Sequence, residues 1–562
     1  MDERRLLLAV ALSLVVLTAY SLLFAPPPPQ QPVPTAAPTA ASGPPAMAGP
    51  ARPPAEAVAK PQAPPAALAA TPAVADERER RVEVVAPAYA VAFTNRGARL
   101  VSWALTDQRD ARGRPEEMVA AQSTAVRPLD LETGDAELDA RLRGALFLPS
   151  AEELRVSGEA PQVLRFEYAG DGVSAEKAIT FRASGLVAIQ VSVKRAGQPL
   201  PVRLLWGPGL GNPTPEERDV RGYTEPQAVA LLAAGGLQQI APGKIAATGQ
   251  PLGSVRWVGV ESHYFAALFV APGGAAEAQV RPATLPAHGD DKPVTEAVAL
   301  IDANASEPVQ LFVGAKDHQQ MAKLGHQLER VVQVGDWIGP IVIALMGLLR
   351  WVHVHIGNWG WSIVVLTILI NLVMAPFRHY SIVNGLKMAK LSPEMKAIQE
   401  RYRKVPLMDP RRQQMQEEIA ALYARHGMSM TSQMAVGCLP MLLTMPFLFA
   451  FYRVLSVAVE LRGAPFLWIA DLAQKDPLFV TPVLMGVSMF AMQKMTPSAM
   501  DPAQQRIMML MPLMLAGMFF WAPAGLNLYW LVSNLCAIAQ QGLTLRLLRD
   551  PAKPSSKERR RR

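Results

Sequence analysis

At 562 residues, half of them hydrophobic and only 18% charged, with 50 prolines and a positive mean hydropathy, the chain is neither one small soluble domain nor a charged, disordered polymer. Its net charge of +8 gathers in segments that flank apolar runs, which is a pattern of membrane orientation rather than of a nucleic-acid-binding face. Cysteine occurs twice, as Cys438 and Cys536, each inside an apolar run, so a disulfide framework or cysteine-based zinc site is excluded.

In chain order, Arg4 and Arg5 precede an apolar run over residues 6–25 that is nearly long enough to cross a bilayer. Prolines occupy 26–29, where a signal peptidase would have to cut, so residues 1–25 read as a retained anchor with its start in the cytoplasm. Residues 26–80 are mostly Pro and Ala with hardly any large apolar residue; they cannot bury enough surface to fold and form an extended linker.

From 81 to 317 the pattern changes to short alternating runs. After the turn at Ser184 and Gly185, Val187, Ile189, Val191 and Val193 alternate with Ala188, Gln190, Ser192 and Lys194, the period of a half-buried strand. Comparable runs at 163–168, 257–260 and 309–313, separated by Gly and Pro turns, imply a β-sandwich. Glu261 and His263 are an isolated polar pair and do not make a catalytic set.

Residues 318–356 read as a linker followed by an apolar, amphipathic helix over 341–354. Its end, with Arg350, Trp351, His353 and His355, suits the bilayer interface. The two histidines are at i and i+2, on different faces of a helix, so they do not make a metal pair.

Residues 357–377 form a second span about 20 residues long. It carries Asn371, an amide in a place without water to solvate it. Either a hydrogen bond to a neighbouring span or a wet cavity satisfies such a group. Residues 378–430 are polar and basic, with two helical pieces around a break at 405–410, and read as a cytoplasmic helical hairpin. Met388, Leu391, Met395 and Ile398 recur at helical spacing on it. They serve either as the packing face of the hairpin or as a flexible Met-rich surface for apolar partners. Residues 431–546 supply four more spans, at 434–457, 478–495, 507–521 and 526–545, and residues 547–562 form a basic tail ending in Arg559, Arg560, Arg561 and Arg562.

Several separate motifs occur in one order: Gly437, Cys438, Leu439 and Pro440 with Met445 and Pro446; Glu460 through Phe466; Gln493, Lys494 and Met495; and Gly525 through Trp530 with Ser533, Asn534, Gln540 and Gln541. Together they resemble the YidC/Oxa/Alb membrane-protein insertases. The anchor, linker and large β-domain resemble the Gram-negative form of that family. The resemblance implies an α-helical polytopic inner-membrane protein with six transmembrane helices and a five-helix insertase core. It also implies an all-β periplasmic supersandwich related to sugar-mutarotase folds, a kinship that carries no sugar chemistry.

As the resemblance implies it, a hydrophilic intramembrane groove, open to the cytoplasm and to lipid, receives the polar segment of a nascent membrane protein while its apolar helix slides into the bilayer. Asn371, Thr367, Thr444, Tyr529 and Trp530 are then the groove and client-contacting residues, and Met388, Leu391 and Met395 the client surface of the hairpin. The arginine tail meets the ribosome or anionic headgroups, SecYEG is an optional partner, and the protein acts as a monomer. No cofactor, metal or catalytic residue is required. The family usually places an arginine, sometimes a lysine, where this chain has Asn371, and often a glutamine where it has Thr444. A neutral amide hydrates a groove but does not attract a carboxylate over distance as a fixed charge does. The alternative class, a small-solute transporter or channel, predicts repeated halves and broken, charged helices near the midplane; the sequence shows neither.

Overall fold

The computed structural model describes residues 74–548 except 111, 122–124, 159, 219–222, 286–292, 304–306, 336, 404, 407–408, 427–444 and 497–501. The expected anchor, nearly all of the linker, Cys438, Thr444 and the arginine tail with Arg559, Arg560, Arg561 and Arg562 lie outside the described residues.

The alternation at 187–193 produces the strand Val187–Arg195, with its four β-branched residues buried and Gln190 and Lys194 outward. It pairs antiparallel with Val173–Phe181 and with Val309–Ala315. Among the described residues these strands belong to a 14-stranded sheet that faces a second sheet of five. Apolar side chains from both sheets meet between them, with Phe93 against Phe166 at 5.6 Å and Trp103 against Trp206 at 6.3 Å. Two half-apolar faces thus bury each other. One inward position of Val173–Phe181 is a lysine. Lys177 is fully buried and donates to the Ala98 and Leu129 carbonyls, each at 2.7 Å, while burial lowers its pKa to about 8. The opposite face of the large sheet, with Val229, Leu231, Trp257 and Leu268, is covered by Met321, Leu328, Val331 and Val332 from the segment that leads into the helices.

Among the described residues seven helices follow, here α1 (Gly339–Ile356), α2 (Trp359–Arg401), α3 (Arg411–Arg425), α4 (Met445–Val457), α5 (Val480–Met495), α6 (Pro502–Met518) and α7 (Ala524–Leu547). Both α1 and α2 are long and apolar enough to cross a bilayer. In α1, Val342, Leu345, Met346, Leu349 and Val352 recur at helical spacing and are buried, whereas Trp351 and Val354 are exposed. One face therefore packs on protein and the other is apolar and free, as contact with lipid requires.

By sequence, the second span ends at 377 and the hairpin begins at 378. The structure differs: α2 continues through Pro376 and Pro393 for 43 residues. Gln540 on α7 donates from Nε2 to the Ala375 carbonyl at 2.5 Å, tying α7 to α2 beside the proline. The N-terminus of α2 is capped by Asn358, whose Oδ1 accepts from the Trp361 N–H at 3.1 Å. Gly360 follows because Phe466 lies against it; a Cβ there would fall 2.1 to 2.6 Å from the Phe466 ring and Cβ.

The Met-rich stripe closes the hairpin. Leu391 and Ile398 are buried against Met415, Ile419, Leu422 and Tyr423 of α3, with Met388 and Met395 packed on the same cluster. Tyr423 also donates its hydroxyl to Met395 Sδ at 3.2 Å. Of the two roles open in the sequence, this conformation uses Met388, Leu391 and Met395 as the hairpin's own packing face, since two amphipathic helices in contact bury their apolar stripes on each other.

Candidate functional site

Polar side chains accumulate on the inward faces of α2, α5 and α7. Ser362, Thr367, Asn371, Ser488, Asn534, Gln541 and Thr544 are all buried. Each must find a partner, since an unpaired polar group away from water costs about 1–3 kcal/mol. Thr367 donates its hydroxyl to the Ile363 carbonyl at 2.6 Å, and its own carbonyl accepts from Asn371 Nδ2 at 2.8 Å. Asn534 donates to Ser488 Oγ at 3.0 Å, joining α7 to α5, and Gln541 donates to the Met495 carbonyl at 2.7 Å. Thr544 meets His379 Nδ1 at 3.1 Å.

Between these helices lies a cavity of about 420 Å³. Arg378, Ser381, Ile382 and Gly385 line it from α2, Met492 and Thr496 from the end of α5, and Ser533, Asn534, Ala537 and Gln541 from α7. Asn371 adjoins it. Its Oδ1 accepts from Arg378 Nη1 at 3.0 Å, and Ser533 Oγ is 3.4 Å from the same amide. Arg378 reads in the sequence only as the first charge of the hairpin; the unbroken α2 brings it back to Asn371.

Tyr529 and Trp530 lie one turn before Ser533 and Asn534 on α7. The Tyr529 ring stacks on Phe451 of α4 at 4.2 Å, and Trp530 tilts against Phe519 at 5.1 Å, both in the apolar core of the bundle on the side nearer the β-domain. The structure thus joins Asn371 and Thr367 with Ser533, Asn534 and Gln541, while Tyr529 and Trp530, one helical turn before Ser533 and Asn534 on α7, pack in the apolar core.

At the β-domain end the bundle is closed by the loop between α4 and α5. The Ala524 N–H donates to the Gln474 carbonyl at 2.7 Å and the Gly525 N–H to the Leu472 carbonyl at 2.9 Å, which pins the loop on the first residues of α7. Asp476 accepts from the Thr481 N–H and hydroxyl and from Trp468 Nε1. From the same loop Arg462 enters the β-domain. It pairs with Glu116 at 2.7 Å and Glu217 at 2.5 Å, donates to the Arg109 carbonyl at 3.0 Å and lies 5.3 Å from the Phe265 ring centre. Arg350 of α1 binds Asp317 at 3.1 Å and also Glu460.

His263 completes this joint. Its Nδ1 accepts from the Thr224 N–H at 3.3 Å, which leaves Nε2 as the protonated nitrogen, facing the Ser456 carbonyl in the last turn of α4 at 2.9 Å. Burial, with Lys316 and Arg453 nearby, lowers its pKa to about 4. Lys316 is itself paired with Glu261 at 3.1 Å, and Arg453 donates to the Gln333 carbonyl at 2.8 Å. A released His263 binds a proton near its ordinary value of 6.5, whereas the docked one does so near 4, so release takes up a proton in that interval. Hydrogen exchange in residues 445–457 is therefore expected to quicken as pH falls from 6.5 to 4.5, and His263→Gln to flatten that dependence. An unchanged slope in the variant would remove His263 as its source.

Two family models match this chain: "60Kd inner membrane protein" over residues 351–550 and "YidC periplasmic domain" over residues 81–346. The curated protein "Membrane protein insertase YidC" of Geobacter metallireducens is 31% identical over 550 residues, covering 96% of this chain and 97% of the relative. Its namesake in Geobacter sulfurreducens is 32% identical over 549 residues, with 96% and 97% covered. A solved structure described as an active YidC insertase with the first transmembrane domain resolved aligns at 17% identity with a TM-score of 0.33, covering 84% of this chain and 94% of that one.

Proposed function

This chain belongs to the YidC family of membrane protein insertases, and on that premise we propose that it inserts and helps fold integral membrane proteins through the polar recess between α2, α5 and α7. The observation that carries the reading is the cavity of about 420 Å³ among buried amides and hydroxyls, at the hairpin end of a bundle whose other end is covered. Desolvation of polar residues is the barrier to moving a client segment through lipid. A hydrated recess shortens the path over which that barrier must be met, and the client's apolar helix then partitions into the bilayer. Clients are nascent membrane proteins. No covalent step, nucleotide or metal enters this scheme.

The proposed topology places the β-domain in the periplasm and the hairpin, both termini and the arginine tail in the cytoplasm, in a multi-pass protein of the inner membrane. The tail's four arginines suit ribosomal RNA or anionic headgroups, SecYEG is an optional partner, and the working unit is a monomer. In this reading Thr367 and Asn371 serve the recess, and Tyr529 and Trp530 its apolar wall.

The test is reconstitution. Purified protein in liposomes is expected to insert a small single-span client, scored by protection of its translocated segment from external protease. Asn371→Leu removes the acceptor of Arg378 and part of the wet lining, and is expected to lower insertion about tenfold, the effect of one buried donor left unpaired at ~1.4 kcal/mol. Native protein that protects no client refutes the proposal, and an Asn371→Leu protein equal to native for every client removes the recess from it.

A further inference from the structure

A second cavity, of about 190 Å³, lies in the joint between the β-domain and the bundle. Thr224, His263 and Lys316 line it from the β-domain, Gln333 from the segment that leads into α1, and Arg453 and Ser456 from α4. Its volume is that of about six waters, room for one phosphate group but not for an acyl tail.

Charge is unevenly matched on its walls. Lys316 is nearly buried and paired with Glu261 at 3.1 Å. Arg453 is half-buried and, among the described residues, forms no ion pair; its Nε at 2.8 Å and Nη2 at 2.5 Å both donate to one neutral acceptor, the Gln333 carbonyl. His263 is neutral at pH 7 and both its ring nitrogens are already used. Pro523, which precedes α7, completes the wall, so the end of α4 and the start of α7 meet here and their opposed dipole ends offset each other. One positive charge is left in excess, on Arg453, close enough to Lys316 for the two cations to repel.

The cavity's level is set by the helix ends. Ser456 lies in the last turn of α4, Pro523 opens α7 and Gln333 shortly precedes α1. The same three segments expose Tyr452, Trp521 and Trp337, aromatic side chains of the kind that sit among lipid headgroups.

Resting on the bilayer placement proposed above, we propose that this cavity binds a phosphate group between Arg453 and Lys316, supplied by an anionic phospholipid of the leaflet facing the β-domain. A guanidinium has five N–H donors and an ammonium three, so both cations keep donors beyond their present bonds. A phosphate oxygen can accept from each, and its negative charge relieves their repulsion. The bound headgroup then fastens α4 to the β-domain.

The experiment reads hydrogen exchange in residues 331–334 and 445–457 of the full-length protein in a phosphorus-free maltoside detergent at pH 7.5, where His263 stays neutral. Dioleoyl phosphatidylglycerol at about nine times its Kd is expected to slow exchange there about tenfold. Arg453→Gln is expected to lose that slowing, measured as the ratio with and without lipid in the same variant. Arg453→Lys keeps the charge and is expected to retain at least about a threefold slowing. Inorganic phosphate is the second probe: slowing by it equal to that by the lipid keeps the phosphate site but assigns it to a free anion. No slowing by either probe in the native protein overturns the inference, as does equal slowing in Arg453→Gln, or a loss in Arg453→Lys as complete as in Arg453→Gln. No client enters this measurement, so its failure leaves the insertase reading standing, and liposomes that insert no client leave the phosphate site standing.

Discussion

Replacing Arg462 with methionine is expected to detach the β-domain from the helical bundle. Arg462 and its partners Glu116 and Glu217 are each less than a tenth exposed, and they come from a membrane-side loop and two separate β-domain segments. Methionine keeps much of the side-chain volume but leaves two buried carboxylates without their cation, a change that costs about 3–5 kcal/mol in comparable buried clusters. Burial already pushes the Glu116 carboxyl above its ordinary range against the pull of Arg462, and loss of the arginine pushes it further. A carboxyl whose folded pKa is raised binds its proton more readily in the folded than in the unfolded state, so the deficit shrinks as pH falls toward 5. The measurement is thermal unfolding in detergent with limited proteolysis. An earlier separate transition and faster cleavage between the β-domain and α1 are expected at pH 7.5. Adding Glu116→Gln and Glu217→Gln to Arg462→Met is expected to recover part of the loss, because no charge then remains unpaired. An Arg462→Met protein that melts and digests like the native one shows that the ion cluster does not hold the joint.

Gly259→Val carries a second large effect, confined to the β-domain. Gly259 lies inside the strand Gln250–Glu261, paired on one side with Val229 and on the other with Leu268. A Cβ there would fall 1.9 Å from the Ala267 carbonyl oxygen and 2.8 Å from Leu268 Cα, backbone atoms that have no rotamer to adopt. The ladder must part on at least one side, at the centre of the larger sheet. The expected cost exceeds about 4 kcal/mol, in the range reserved for gross steric or core disruption. Circular dichroism of the purified variant should show lost β-signal at temperatures where the native domain is folded, with Gly259→Ala affected in the same direction. A native-like melt for Gly259→Val would mean that the two strands are not this close.

Much of this molecule was legible before folding. The alternating residues at 187–193, the apolar runs that become α1, α2 and α7 and the single amide Asn371 in an apolar span all follow from periods and residue types within a short window. So did the motifs from Gly437 to Gln541 that mark the family. Local order carries this information because side-chain direction repeats every 2 or 3.6 residues and hydropathy fixes which direction is inward.

Three features were decided only by the tertiary structure. The second span reads as ending at 377, so Arg378 was assigned to the hairpin; the helix instead continues to Arg401, with Gln540 bound to the Ala375 carbonyl 165 residues away, and returns the cation to Asn371. The hydrophilic Lys177 occupies a core position because the Ala98 and Leu129 carbonyls, 79 and 48 residues distant, converge on its ammonium. Arg462 sits in a motif that marks the family, but its partners Glu217 and Glu116 lie 245 and 346 residues earlier. The physical reason is common to all three. A charge takes its meaning from the partner that satisfies it, and that partner is brought within about 3 Å by the fold rather than by its place in the chain.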